Sequence, residues 1–508
     1  MRNDTYQSNR IGRVVIVGGG TAGWMAAIYL NRFMRRMNGK VVLVESPAIG
    51  TVGVGEATIP TLVHFVRLLN LDEKELMRRC SATFKLGIRF EDWQTLGATY
   101  HHPFGIAGKR INGLDLFHFW LKRRLETGSK LNYADYCLQT SLGANEKAPW
   151  PYGGSSQVAE TGSYAYHLDA TDLGLYLREL ATGEGVEHLF GAVQDVMLDD
   201  RGNIESLAIG GGRTLTGDLF IDATGFNARL IERALGDPWI DWSGSMLCDR
   251  AVTMPLQRSE QFPPYTISTA LPAGWMWRIT LNSRVGTGYV FSSAHISPDD
   301  ATQALIERSG LRKQRAADPR LIDMRVGRRS HFWVGNCIAV GLAAGFVEPL
   351  ESTGIHLIQK AVMQLVDYLP DRDFNDALRR SYNAKMAAVY DEVRDFIMLH
   401  YVLSQRDEPF WRDARNAPLP DTLRESLAIY DETGRIENAR LQLFPETSYF
   451  YILSGYGRLP RRPIVQADLA PSAEIWHLLD RMREENRQLA DRMPRHEAYL
   501  SELHRKPL

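Results

Sequence analysis

An α/β fold is predicted, with a Rossmann-type dinucleotide-binding sheet followed by a mostly helical C-terminal part. Three features predict it. Residues 13–17 are an apolar run (RVVIV) that leads into Gly18-Gly19-Gly20-Thr21-Ala22-Gly23 and then into an apolar helix over about residues 24–33. Two later apolar runs, 218–224 (DLFIDAT) and 336–340 (NCIAV), each lead into small residues. Over residues 355–403, apolar side chains recur at helical spacing.

The first run reads as a short buried parallel strand, and strand, glycine turn, helix is the order a dinucleotide fingerprint requires. Gly18 allows the tight turn, Gly20 lets the backbone approach a pyrophosphate, and Gly23 lets the helix pack close to the strand. Thr21 and Ala22 stand where the helix N-terminus offers free N–H groups to phosphates. A second strand over residues 40–44 ends in Glu45, placed to accept from ribose hydroxyls. A glycine-rich turn without ligand is the plainer reading of such a motif, but the flanking elements and the acid favour dinucleotide binding. The motif alone does not choose FAD over NAD. The two later strands favour FAD. The first runs into Gly225 and the second into Gly341-Leu342-Ala343-Ala344-Gly345, the order in which two-part flavoenzymes close their sheet and cover the flavin.

Further on, residues 405–423 are rich in Pro, Asp and Arg and read as a connecting loop. Residues 472–503 are charged with apolar positions at helical spacing, which reads as a surface helix packing back on the body. Two parts are expected: residues 1–360 binding the nucleotide, and residues 361–508 as helices covering a substrate pocket.

The 508 residues, 44% hydrophobic, suffice for a large core and more than one ordinary domain. Fifty-nine basic against 60 acidic residues give a formal charge of -1, so no electrostatic ground exists for a nucleic acid or anionic membrane partner. No signal-peptide apolar region and no run of about 18 uncharged apolar residues is seen. The four scattered cysteines, Cys80, Cys137, Cys248 and Cys337, make no disulfide framework or metal-ligand pair, so a cytoplasmic setting is expected. The 11 tryptophans and 20 tyrosines suit a core and also an aromatic-lined site.

Three motifs narrow the family. Trp275-Met276-Trp277-Arg278-Ile279 is a WxWxI string; residues 346–355 (FVEPLESTGI) contain FxxPxxSxG; and Gly53-Val54-Gly55-Glu56-Ala57-Thr58-Ile59-Pro60 is followed by Ser81-Ala82-Thr83-Phe84-Lys85-Leu86-Gly87. Together, in this order behind the fingerprint, they resemble the flavin-dependent halogenases, in the tryptophan and indole halogenase branch, over about residues 12–400 and again over 448–460. The resemblance implies an FAD-dependent monooxygenase-like fold that uses reduced FAD, oxygen, and chloride or bromide to make hypohalous acid. That acid then halogenates an electron-rich aromatic in a separate pocket. It also implies a separate NAD(P)H-dependent flavin reductase as partner, a small aromatic substrate, and leaves a homodimer open.

The resemblance assigns roles, each beside a plainer reading. Lys85, in an otherwise apolar run, would hold and aim hypohalous acid; a snorkelling or ion-paired lysine is the alternative. Glu351 would face the substrate ring and take its proton; otherwise it is a buried ion-pair or capping glutamate. Glu348, three residues earlier, is a competing acid to which the family assigns no such role. Thr353 and Gly354 would bind halide through their amides, although Ser352 or Thr353 could simply cap a helix. Trp275 and Trp277, two apart on a strand, would wall the flavin from the substrate, or serve as core. His102, Pro103 and Phe104 would flank the substrate ring, as would Phe444; a plain proline turn with a buried phenylalanine is the alternative. Glu56, Ala57, Val193, Leu342 and Ile355 would join the glycine motif around the cofactor.

The chain departs from the family in two places. Thr280 stands where WxWxI usually ends in proline. Where tryptophan halogenases hold free tryptophan with a tyrosine pair, a glutamate and a Phe-Trp pair, this chain reads Asp431, Glu432, Ala439 and Leu443-Phe444. A zwitterion without polar partners is costly to bury, so indole or a larger aromatic is expected rather than free tryptophan. An FAD monooxygenase, or a flavin-binding protein without catalysis, are the alternative functions; neither needs Lys85 paired with Glu351.

Overall fold

The computed structural model describes residues 9–48, 55–309, 318–436 and 443–505. The first crossover is β1 (Arg13–Val17), α1 (Thr21–Met34) and β2 (Lys40–Glu45). The strands pair in parallel, with Arg13 opposite Lys40 and Val17 opposite Val44. Every residue of β1 after Arg13 is buried, as a strand covered on both faces must be. There follow β3 (Gly55–Ala57), β4 (Thr83–Lys85), β5 (Gly87–Glu91), β6 (Thr99–Pro103), β7 (Ala165–Asp169), β8 (Glu187–Phe190) and β9 (Leu219–Asp222). After these come β10 (Thr266–Leu271), β11 (Gly274–Thr280), β12 (Val285–Phe291), β13 (Trp333–Val334) and β14 (Cys337–Ala339).

Three sheets position the site. The nucleotide sheet has the order β13-β14-β9-β1-β2-β8, all parallel except the β13 edge. The two later apolar runs therefore do extend the fingerprint sheet: β9 lies directly beside β1, and β14 beside β9. A seven-stranded sheet runs Arg320–Asp323, Arg250–Leu256, β12, β11, β10, β5, β6, antiparallel except between β10 and β5. The third sheet, β3-β7-β4, is small and antiparallel.

From Gly354 onward the described residues are mostly helical: α2 (Gly354–Asp367), α3 (Asp376–Val402), α4 (Pro409–Arg415), α5 (Asp421–Thr433), α6 (Glu446–Gly455), α7 (Ser472–Arg492) and α8 (His496–Arg505). The expected loop over 405–423 contains α4 and the start of α5. Phe410 and Trp411 are both buried there, and proline is compatible with a first helical position. The charged C-terminal stretch is two helices, α7 and α8, parted around Pro494. The expected boundary at residue 360 falls inside α2, which packs against α1. One continuous apolar cluster reaches from Ile11 to Leu503. All four cysteines are free and buried. Among the described residues, no helix is long and apolar enough to cross a membrane.

Candidate active site

At the fingerprint, three glycines are required by contact. Gly18 has φ +117, and a Cβ there would lie 2.3 Å from the Ala223 carbonyl oxygen. A Cβ on Gly19 would collide with the Glu45 carboxylate, and one on Gly23 with the Gly18 carbonyl, at 1.4 and 1.9 Å. Gly20 is different: nothing lies within 4 Å of its Cβ position, and no side chain caps α1. Open space in front of uncapped helix N–H groups fits a pyrophosphate, so the residues present suit FAD. Thr21 donates its hydroxyl proton to the Ala170 carbonyl, at 2.9 Å, which leaves its backbone N–H as the donor it can offer a phosphate. Glu45 Oε1 is 2.9 Å from His188 Nε2. Leu342 lies in the turn Gly341–Ala343, whose Gly341 abuts Ala22. Val193 begins a strand just beyond β8, and the preceding Gly191 N–H donates to Glu45 O. Glu56 and Ala57 lie in β3, one strand removed from β4. Burial, with Asp169 adding repulsion, raises the Glu56 carboxyl to about 7. Gly53 and Val54 of the third motif lie outside the described residues.

The FVEPLESTGI segment is a 3-10 turn, Pro349–Glu351, then Ser352 in left-handed backbone at φ 61, then Thr353 at the N-cap of α2. The helix therefore starts at Thr353, as the plainer reading has it, although no side chain caps it. Ser352 instead accepts a hydrogen bond from Lys85 Nζ at 2.7 Å. Gly354 is exposed and has nothing within 4 Å of its Cβ position. Ile355, in the first turn of α2, is buried. The uncapped, open N-terminus is the arrangement a small anion needs.

Lys85 ends β4 with no exposed surface. Its Nζ also sits 4.9 Å from the centre of the Phe104 ring. Burial pulls the ammonium down to about 7, against the pull of Glu351 in the other direction. Glu351 is likewise fully buried. Its Oε2 accepts from His102 Nδ1 at 2.9 Å. His400 Nε2 lies 3.0 Å from Oε1, off the hydrogen-bond axis. Burial acts to raise this carboxyl, but His102 and His400 outweigh it and hold it at about 2. The site therefore keeps a carboxylate ionised beside a lysine poised between its two forms.

His400 and its supports escaped the sequence reading. His400 Nδ1 is 2.8 Å from the Tyr100 hydroxyl, and its carbonyl accepts from the Tyr456 hydroxyl at 2.7 Å. Tyr100 and His102 are alternate residues of β6, so one face carries both. Phe396 and His400 are four apart on α3 and share a helix face. These periodicities were the available signal.

Trp275 and Trp277 share one face of β11, with ring centres 6.2 Å apart, and both are buried. Trp275 Nε1 donates to Glu348 Oε2 at 3.1 Å, and the Tyr401 hydroxyl donates to the same oxygen at 2.5 Å. Burial lifts the Glu348 carboxyl to about 7, partly offset by those two hydrogen bonds. Glu348 thus braces the tryptophan wall, while Glu351 faces Lys85.

The His102 ring is surrounded by Phe104, Phe396, Phe444 and Tyr451, with ring centres 5.6 to 6.5 Å away. Pro103 is buried between His102 and Phe104. One face of Phe444 is occupied by Phe396, stacked at 3.8 Å. Leu443 and Phe444 donate their N–H groups to the buried Glu392 carboxylate. Asp431 and Glu432 point elsewhere, to Arg458 and Arg461 at 2.6 and 3.8 Å. Ala439 lies outside the described residues.

Comparison with known proteins agrees with this geometry. The tryptophan halogenase family model matches residues 13–472. The tryptophan 6-halogenase ThaL of Streptomyces albogriseolus is 35% identical, covering 98% of this chain and 99% of its own. Among solved structures, BrvH, a flavin-dependent halogenase from Brevundimonas sp. BAL3, superposes with a TM-score of 0.91 at 38% identity, over 97% of this chain and 100% of its own. Xcc4156, a flavin-dependent halogenase from Xanthomonas campestris, gives 0.91 at 39% identity, over 97% of this chain and 98% of its own.

Proposed function

Because the chain belongs to the tryptophan halogenase family, we propose that Lys85 and Glu351 carry its chemistry. The enzyme is a flavin-dependent halogenase that uses reduced FAD, oxygen, and chloride or bromide to halogenate an electron-rich aromatic of the indole type. When bound, reduced FAD would activate oxygen, and that oxygen would supply the two-electron oxidation that turns halide into hypohalous acid. The protein's own groups do the rest. The Thr353 and Gly354 amides hold the halide at the open end of α2. The Trp275 and Trp277 wall, braced by Glu348, keeps the aromatic substrate away from the oxidation site. Lys85 Nζ, fixed by Ser352, binds the hypohalous acid through a hydrogen bond or as a haloamine. The Glu351 carboxylate stabilises the cationic ring formed on attack and accepts its proton, while His102 and His400 keep it ionised. His102, Phe104 and Phe444 flank the ring, and the helices after residue 360 close the pocket.

The observation that carries this reading is that two fully buried ionisable groups from separate elements lie at one aromatic cage, Lys85 bonded to Ser352 and against Phe104, and Glu351 bonded to His102. The test is Lys85→Ala, assayed with a flavin reductase, NADH, FAD, halide and indole. FAD should stay bound while the halogen isotope pattern disappears from the product. Undiminished halogenation by this variant would sink the assignment.

The substrate reading follows from Asp431 and Glu432, which are engaged by arginines, and from Leu443 in an aromatic position. Indole-type aromatics without a zwitterionic backbone fit better than free tryptophan. Parallel assays with both would decide: strong turnover of free tryptophan refutes it. A separate flavin reductase supplies the reduced FAD, and the cytoplasm is the proposed location.

A further inference from the structure

We propose that α8 latches the strand that carries Lys85, with His496 acting as a positioning residue for that lysine. The proposal rests on the reading of Lys85 given above. β4 is only three residues long and forms one edge of its sheet. On one side it pairs with β7, Lys85 lying opposite Ala165. On the other side no strand follows among the described residues, and buried backbone groups there need partners.

α8 supplies them with side chains. His496 Nε2 accepts from the Phe84 N–H at 3.2 Å, and its Nδ1–H donates to the Phe262 carbonyl at 2.7 Å. Those two bonds fix the neutral tautomer with its proton on Nδ1. His504 Nε2–H donates to the Ala82 carbonyl at 2.9 Å. The two histidines are eight residues apart, so both lie on one face of the helix. His496 is fully buried, and its own N–H is anchored on the Glu146 carbonyl at 2.8 Å.

The latch also grips the neighbouring side chain. The Phe84 ring packs on His496, Tyr499 and Tyr164, with centres 5.6 to 5.9 Å away. Successive strand residues point to opposite faces. Holding Phe84 toward α8 therefore turns Lys85 toward Ser352 and Phe104, and Thr83 toward the Thr280 carbonyl, which accepts from its hydroxyl at 2.7 Å. Without the latch, a three-residue edge strand can twist, and the long lysine side chain magnifies any twist at Nζ.

The experiment compares His496→Leu, which keeps bulk but removes the acceptor, with His496→Gln, whose amide oxygen can accept from Phe84. In each variant hypohalous acid released to solution is trapped with a dimedone probe, and halogenated indole is measured in parallel. His496→Leu should form hypohalous acid like the parent enzyme, yet deliver about tenfold less product per acid formed, since small misplacements of reacting groups cost this much or more. His496→Gln should restore most of that coupling, and His504→Leu should lose a smaller share. An unchanged ratio in His496→Leu overturns the latch, as does a parallel fall in acid and product that Gln fails to rescue. Should His496→Leu not fold, an unchanged ratio in His504→Leu decides against the proposal. Full coupling in Lys85→Ala would instead refute the lysine's role, which separates the two failures.

Discussion

Replacing Lys85 with methionine should make the protein more stable, by an amount that depends on pH. The side chain keeps its length and loses its charge. Lys85 has no exposed surface, and burial takes its ammonium from 10.5 to about 7. At 1.36 kcal/mol per unit, confining the charged form costs about 5 kcal/mol at pH 6. Between the two values the unfolded chain binds the proton and the folded one does not, so native stability rises with pH across that window. The cost falls to about 2 kcal/mol at pH 9. Methionine has no charge to confine, and Glu351 keeps His102 and His400 in the variant. For a chain of this length about 1 kcal/mol corresponds to about 1 °C in Tm. Thermal unfolding of both proteins from pH 6 to pH 9 should therefore show the variant's advantage shrinking by about 3 °C as pH rises. An advantage that stays flat, or grows with pH, would refute the assignment of Lys85 as a buried, depressed lysine.

Three other substitutions probe the remaining parts of the site. Gly18→Ala forces a Cβ against the Ala223 carbonyl at φ +117; the purified variant should lack the flavin absorbance that the parent retains on addition of FAD. Gly354→Ala meets no neighbouring atom but fills the open end of α2, so the fold should be kept while the halide KM rises about tenfold, the equivalent of about 1.4 kcal/mol of lost binding. Glu351→Gln keeps the shape and removes the charge held by His102 and His400; kcat for halogenation should fall about 100-fold or more, the usual contribution of a general base, with hypohalous acid still detectable in solution.

The sheet that binds the nucleotide was legible because its signals are local. Five consecutive apolar residues, a glycine turn with steric need at Gly18 and Gly23, and two later apolar runs are all written contiguously. The turn at residues 349–351 and Lys85 stood in motif strings, but the apolar neighbours of Lys85 alone left a snorkelling or ion-paired lysine as the plainer reading, and only the fold shows it buried. What escaped was set by contacts between distant segments. His400 meets Glu351 only because α3 crosses β6, and nothing in the string IMLHYV marks that histidine from a core residue. Glu348 and Glu351 differ by three positions, yet one is braced by Trp275 and Tyr401 while the other lies between two histidines; only the crossing of α3 and β11 over the turn separates their roles. The loop expected over 405–423 failed because proline and charge concealed the buried pair Phe410 and Trp411. The break before α8 likewise has meaning only once Phe84 is seen beside His496.

The four buried cysteines bear on how long such a catalyst can work. A protein that generates hypohalous acid is exposed to a reagent that consumes thiolates fastest. Here desolvation raises the proton affinity of all four thiols, Cys80, Cys137, Cys248 and Cys337, and none reaches the surface. A thiol kept protonated and away from water is a slow reactant. Self-inflicted damage is thereby steered toward side chains that touch solvent, such as Met197, which is 46% exposed, and away from the packing that holds Lys85 and Glu351 in register.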